Sequence, residues 1–273
     1  MSSIMKTCIF TVIKDEQDYL NDFIRYHLGI GIDFIFIYED IDSASHSYIT
    51  ERYKDNVTLS SVSELVPIDD IMRLKKEGKG YQVLYIKKGL SYIHDNFDYD
   101  WCFSIDCDEF ITPTEPFPSL LSDYSNYDGI MLHWKNYGCS DHIKKPIYDK
   151  PIWEIYDKEC LYFKTDEKYC NCTKMCYNMK RFQDRFISLA CGIHVGLCNY
   201  VRPNYTWDRT KPCFDRIYIR HYITKSFEEY MWKITKRGMT FENHRKVDDF
   251  FDAHPELTEK REEIVKWYNE NVL

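Results

Sequence analysis

Trp101-Cys102-Phe103-Ser104-Ile105-Asp106-Cys107-Asp108-Glu109-Phe110-Ile111 is an apolar run that ends in two carboxylates one residue apart and then turns apolar again. Residues i and i+2 of a strand point to one face, so an extended backbone here projects Asp106 and Asp108 together from the strand's end. Two hard oxygen donors so placed can hold Mg²⁺ or Mn²⁺, with positions left for water and for the phosphates of a nucleotide. Asp-x-Asp alone is a weak signal, because such a tripeptide is more often a solvated turn. The apolar flanks change this. They set the carboxylates at the edge of a core, where unpaired charge is costly without a cation or hydrogen bonds.

Working outward, the first half alternates apolar runs with helical periodicity. Ile9 to Ile13 predicts a strand, and Tyr19, Leu20, Phe23, Ile24 and Leu28 then recur at helical spacing up to Gly29 and Gly31. Phe34 to Tyr38 predicts a second strand closed by Glu39-Asp40, and Val57 to Ser61 a weaker third. A helix over about Lys79 to Asn96 follows, with Val83, Leu84, Ile86, Leu90 and Ile93 on one side, and then the strand Trp101 to Ile105. This order predicts an α/β fold with a mostly parallel sheet flanked by helices, whose ligands bind beyond the carboxyl ends of the strands. Lys14-Asp15-Glu16, Glu39-Asp40 and Asp106-x-Asp108 all fall at such ends. No Gly-rich phosphate loop of the dinucleotide or Walker type is present, which excludes an ordinary Rossmann dehydrogenase or P-loop enzyme.

The second half is less regular. Ile130 to Trp134 predicts a strand leading into a loop through His142, and Tyr148 to Pro212 lacks a long period and predicts loops and short strands over the crevice. Ile217 to Tyr222 predicts another strand, Ser226 starts a helix ending near Gly238, and a last helix runs from about Thr258 to Asn271. The chain has 273 residues, 44% of them hydrophobic, enough for one large domain. A net charge of −8 argues against a nucleic-acid partner, which would need concentrated Lys and Arg. The apolar stretch Ile4 to Ile13 is too short to span a bilayer and lacks a signal-peptide pattern, and 11 scattered cysteines suit a reducing, cytoplasmic setting. Cys170, Cys172, Cys176, Cys191, His194 and Cys198 are close in sequence, but their spacings match no paired C-x2-C zinc knuckle.

Four separated segments resemble the GT-A-fold glycosyltransferases of the family 2 and family 92 kind. Lys14-Asp15-Glu16 with Tyr19-Leu20, Tyr26-His27 and Ile37-Tyr38-Glu39-Asp40 is similar to their opening motifs, and Trp101 to Ile111 to their D-x-D-E-F segment. Trp134-Lys135-Asn136-Tyr137-Gly138-Cys139-Ser140 resembles W-x-x-F-G-S-S, and His221-Tyr222-Ile223-Thr224-Lys225-Ser226 resembles H-Y-x-T-K-S. The likeness covers about residues 7 to 238. It implies a glycosyltransferase domain over 1–240, with a nucleotide-sugar-binding half at 1–112 and an acceptor half at 113–240, and a helical extension at 241–273.

The resemblance further implies transfer of a hexosyl group from a nucleotide-sugar donor, UDP-galactose being suggested, to a glycan or glycolipid acceptor of surface polysaccharide or lipooligosaccharide synthesis. Mn²⁺ or Mg²⁺ would be held by Asp106, Asp108 and His221, while Glu16, Asp40, Asp106 and Lys225 would meet the nucleotide. An inverting course needs a base, for which Asp141, Asp166, Glu167 and His194 are candidates, Asp141 and His194 foremost. The setting would be the cytoplasm, with room for peripheral contact at the inner membrane face. Two other classes share some of these features: a metal-dependent nucleotidyltransferase or phosphohydrolase, and a zinc- or carbohydrate-binding module built on the Cys/His cluster.

Overall fold

The first apolar run forms strand β1 (Thr7–Ile13), buried along nearly its whole length because both faces of the sheet are covered. The computed structural model describes residues 5–77, 81–161, 173–187, 200–201, 214–237 and 246–272. After β1 come α1 (Leu20–Gly29), β2 (Phe34–Glu39), α2 (Tyr48–Arg52), β3 (Val57–Ser61), α3 (Ile68–Lys76), α4 (Gln82–Asn96) and β4 (Trp101–Ser104). The later elements are β5 (Glu109–Pro113), α5 (Phe117–Ser122), β6 (Gly129–Tyr137), α6 (Ile152–Ile155), β7 (Thr173–Asn178), β8 (Tyr200–Val201), β9 (Ile217–Tyr222), α7 (Phe227–Trp232), α8 (Val247–Ala253) and α9 (Arg261–Asn271).

These strands form one mixed sheet in the order β3-β2-β1-β4-β7-β6-β9-β5, with β8 beside β6. β3, β2, β1 and β4 run parallel. β7 is antiparallel to both β4 and β6, and β5 is antiparallel to β9. Strand β6 carries the sheet around a bend: Gly129 to His133 pair with β7, while Trp134 to Tyr137 pair in parallel with β9. The fold is therefore α/β, as the sequence predicts.

Helices cover both faces. α1 buries Leu20, Phe23, Ile24 and His27, the i, i+3, i+4, i+7 stripe of a helix docked on a sheet. α4 lies so close to β1 on the other face that a Cβ on Gly89 would stand 1.9 Å from the Phe10 ring, which is why a residue without a side chain is needed there. A third apolar cluster joins Phe227 and Tyr230 of α7 to Phe250, Phe251, Ile264 and Tyr268 of the C-terminal helices. Those last helices thus brace α7.

His27 ties α1 to the strand after the acidic turn. Its Nδ1 donates to the Phe23 carbonyl at 2.8 Å, and its Nε2 accepts the Ile111 N–H at 3.1 Å. Full burial lowers its pKa to about 3, so the ring stays neutral and keeps both bonds.

Two sequence expectations need correction. The strand at Trp101 stops at Ser104, so Asp106 and Asp108 lie in a turn and not on one strand face. The part of Tyr148 to Pro212 that the structure describes includes β7, a fully buried interior strand and not a surface cover. Among the described residues, no helix is long and apolar enough to cross a membrane.

Candidate active site

Parallel strands β1, β2 and β4 end at the same edge of the sheet, and the loops after them bring together the residues that the sequence singles out. After β1, Asp15 takes a left-handed backbone (φ 54°). Its N–H donates to Ser43 Oγ at 3.1 Å, and its Oδ1 accepts the Ala44 N–H at 2.8 Å. One residue on, the Glu16 N–H donates to His46 Nε2 at 3.2 Å, while His46 Nδ1 donates to Glu39 Oε1 at 2.8 Å. Accepting on Nε2 assigns the ring proton to Nδ1. This clip locks the β1 loop against the β2 loop and leaves Glu16 and Asp40 each 5% exposed at the edge. Asp40 Oδ1 accepts the Ile41 N–H at 2.8 Å and lies 3.9 Å from Lys75 Nζ.

The turn after β4 separates the two aspartates. The Asp106 N–H donates to Glu109 Oε2 at 3.0 Å, and the Glu109 N–H donates to the Asp106 carbonyl at 3.0 Å, which closes the turn around Cys107 and Asp108. Asp106 Oδ2 takes a 2.7 Å bond from Lys174 Nζ, and its Oδ1 a 3.2 Å bond from Gln82. Lys174 is buried on β7 and also stands 3.6 Å from Glu109 Oε1. Burial pushes the Glu109 carboxyl well above the usual carboxylate range, with the neighbouring Asp106 and Asp108 adding to it. Burial works against the charge of Lys174, but Asp106 and Glu109 outweigh it and raise the ammonium's pKa.

Asp108 faces the other way, into a nest of cations. Its Oδ2 accepts from Lys233 Nζ at 3.1 Å and from Lys225 Nζ at 3.5 Å, and its Oδ1 lies 3.8 Å from His221 Nε2. Burial alone would raise this carboxyl. Lys233, Lys225 and His221 together reverse that and hold it well below the usual carboxylate range.

Local chemistry explains why those three residues arrive here. His221 is in register opposite Glu109 on β5 and beside Asn136 on β6, with its ring 4.2 Å from that of Trp134. Lys225 has a left-handed backbone (φ 54°), a strained conformation for a lysine, and its Nζ sits 4.5 Å over the Tyr19 ring. Ser226 then caps α7: its Oγ accepts the Glu229 N–H at 3.2 Å, and the Glu229 carboxylate bonds back to the Ser226 hydroxyl at 2.5 Å. Tyr148 and Tyr156 also donate to that carboxylate. Lys233 opens the π-helical turn Lys233–Arg237 that continues α7, a departure from regular helix that recurs at functional sites.

Lys225 and Lys233 of this nest reach a cleft of about 280 Å³ that Asp15, Glu16, Tyr19 and Trp232 also line. A cleft lined by carboxylates, ammonium groups and the Trp232 ring suits a ligand with both anionic and sugar-like parts.

Asp141 stands apart. It follows the Gly138 loop, also in a left-handed conformation (φ 66°), with its side chain 60% exposed and paired with Lys158. The hydrogen bond from Lys158 lowers its pKa. His194 lies outside the described residues, as do Asp166, Glu167, Cys170, Cys172, Cys191 and Cys198. Cys176 belongs to the main apolar core. Sequence reasoning missed Gln82, Lys174 and Lys233. A lysine directly before the apolar run Met175-Cys176-Tyr177 was the available sign of a buried partner. For Lys233, the sign was a basic residue one to two helical turns beyond the Ser226 cap.

The 3.8 Å between Asp108 Oδ1 and His221 Nε2 is a span that one cation with bonds of about 2.0–2.2 Å can bridge. One carboxylate and one imidazole, completed by phosphate and water oxygens, make an acceptable Mn²⁺ shell. Asp106 Oδ2 accepts from Lys174 and its Oδ1 from Gln82, one hydrogen bond on each oxygen. Among the described residues, no group of three or more His, Cys, Asp or Glu is placed to hold a metal.

No family profile and no curated protein matches the chain. Among solved structures, it is similar to residues 1–349 of Staphylococcus aureus TarS in complex with UDP, at 11% identity and a TM-score of 0.39 over 73% of this chain and 61% of that one. It is also similar to a Desulfovibrio desulfuricans G20 protein put forward as a nucleotide-diphospho-sugar transferase, at 8% identity and a TM-score of 0.40 over 97% of this chain and 99% of that one. A third is Mycobacterium tuberculosis glucosyl-3-phosphoglycerate synthase with Mn²⁺, UDP and phosphoglyceric acid, at 14% identity and a TM-score of 0.31 over 49% of this chain and 43% of that one. The chain therefore spans less than two thirds of the TarS fragment. The functional reading rests on the site's own residues.

Proposed function

We propose that the protein is a glycosyltransferase that moves a sugar from a nucleoside-diphosphate donor, a UDP-sugar in the first instance and UDP-galactose as the resemblance suggests, to a hydroxyl of a glycan or glycolipid. The observation that carries this is the Asp108 nest, in which a buried carboxylate, two ammonium groups and an imidazole meet at the carboxyl edge of parallel strands, next to a cleft that Glu16 helps to line.

As the bond between the sugar and the diphosphate breaks, negative charge grows on the leaving phosphate. Lys225, held in place by Asp108 and the Tyr19 ring, stabilises that charge without having to reorganise, and Lys233 adds to it from the cleft wall. A divalent cation on Asp108 and His221 would add Lewis-acid stabilisation of the same leaving group. Glu16 and Asp40 are assigned to the nucleoside's polar edge and ribose hydroxyls, while Asp106 shapes the turn through Lys174 and Gln82. Trp232, exposed beside the cleft, offers a face for a sugar ring. For inversion, the base is assigned to Asp141 or His194; Asp141 stands beside Lys158 and is kept ionised, the state that accepts a proton.

The test is a panel of UDP- and GDP-sugars with Mn²⁺, in which the released nucleotide is identified. Release of nucleoside diphosphate that requires Asp108 supports the reading. Release of pyrophosphate would instead support the nucleotidyltransferase alternative.

A further inference from the structure

The charges around Asp108 do not balance for a metal ion arriving alone. One carboxylate already faces the ammonium groups of Lys233 at 3.1 Å and Lys225 at 3.5 Å. A dication placed on the other oxygen would add two positive charges beside two existing ones in a buried pocket, where like charges repel strongly. The diphosphate of a nucleotide-sugar donor brings about two negative charges, and a free nucleoside diphosphate about three. Its arrival gives the ammonium groups a better partner than the carboxylate and frees Asp108 for the cation.

The two lysines differ in their freedom to make that exchange. The Lys225 side chain is 6% exposed, lies on the Tyr19 ring and springs from a constrained backbone. The Lys233 side chain is 19% exposed, lines the cleft and leaves the first residue of a π-helical turn. Its ammonium sits at the end of four rotatable bonds and can swing towards the cleft without moving the helix that carries it.

We propose that Lys233 is a tethered cation that guards Asp108: it holds the carboxylate in the ligand-free protein and transfers to the donor's diphosphate, so that divalent metal and nucleoside diphosphate bind as a pair. This rests on the donor reading above and adds an order to it. Metal binding is conditional on the nucleotide, and the binding step itself protects the site from loading metal without substrate.

The experiment measures Mn²⁺ binding to the full chain by the electron-paramagnetic-resonance signal of free Mn²⁺, with and without UDP, and UDP binding by calorimetry with and without Mn²⁺. In the wild type, UDP tightens Mn²⁺ about tenfold or more, and Mn²⁺ tightens UDP by the same factor, as linkage requires. In Lys233→Met, Mn²⁺ alone binds about tenfold more tightly than in the wild type, because its competitor is gone, and the coupling with UDP shrinks to about threefold or less. Lys233→Arg retains the wild-type coupling. Lys233→Gln serves as a second neutral variant, with a thermal melt of each protein to show that it is folded. Mn²⁺ binding that is unchanged in both neutral variants, or wild-type coupling that survives in them, overturns the guard. Failure of the folded wild type to bind UDP at all, with or without metal, removes the donor reading on which the guard depends.

Discussion

Asp108→Asn should be costly to the fold as well as to ligand binding, and the cost can be worked from the site. At an effective dielectric of about 20, each ammonium within 3.1–3.5 Å of the carboxylate attracts it by about 5 kcal/mol. The carboxylate's own burial opposes this, and breaking one partner of a buried ion pair costs about 3–5 kcal/mol net. Lys233 is part-exposed and can turn towards water, which places the expected loss near the lower end, at about 3 kcal/mol. For a chain of this size that is a fall in Tm of about 5 °C. The pH dependence gives a second signature. Asp108 has a lowered pKa in the folded state, so its contribution is present above the unfolded value of about 4 and is lost as pH falls through the folded value. The gap between wild type and variant, measured by urea denaturation, should therefore be full at pH 7 and narrow below about pH 4. A loss under about 1 kcal/mol, or a gap independent of pH, would show that the carboxylate is not the hub of this cation nest.

Lys174→Met removes the cation between Asp106 and buried Glu109 and should cost about 3–5 kcal/mol in urea denaturation, with adding Glu109→Gln recovering part of the loss. His27 has a lowered folded pKa of about 3 against 6.5, so its contribution is full above pH 6.5 and declines as pH falls, by about 2 kcal/mol at pH 5; His27→Gln should flatten that limb of the stability–pH curve. Gly89→Ala drives a methyl into the Phe10 ring and should lower stability by about 1–3 kcal/mol or more in the same assay. Asp141→Asn should keep donor affinity by calorimetry and slow transfer about 100-fold or more if its carboxylate is the base; full turnover would move that role to another residue.

The parallel half of the sheet was legible because its information is local. Runs such as Phe34 to Tyr38 and Val57 to Ser61 are apolar, bounded by polar clusters, and become strands at almost the same residues. The Ser226 cap was legible for the same reason, since the partner of its hydroxyl is three residues away. What stayed hidden depends on distant partners. Lys174 interrupts the apolar pattern of β7 and reads as surface until Asp106, far away in sequence, supplies its counter-charge. The turn after Ser104 depends on Glu109 bonding back to Asp106, so an alternating pattern that looks like continued strand divides into two strands with the aspartates facing apart. The site's edge was visible in the polar ends of β1, β2 and β4. The partners of Asp108 were only half visible: His221 and Lys225 through a motif, and Lys233 through the fold alone.

The central claim is that the Asp108 nest grips the diphosphate of a nucleotide. A crystal structure of the protein grown with UDP and Mn²⁺ tests this most directly. The account predicts phosphate oxygens within hydrogen-bond reach of Lys225 and Lys233, Mn²⁺ on Asp108 and His221, and the uridine lying towards Glu16 and Asp40. A nucleotide bound elsewhere, with both lysines still on Asp108, would contradict it.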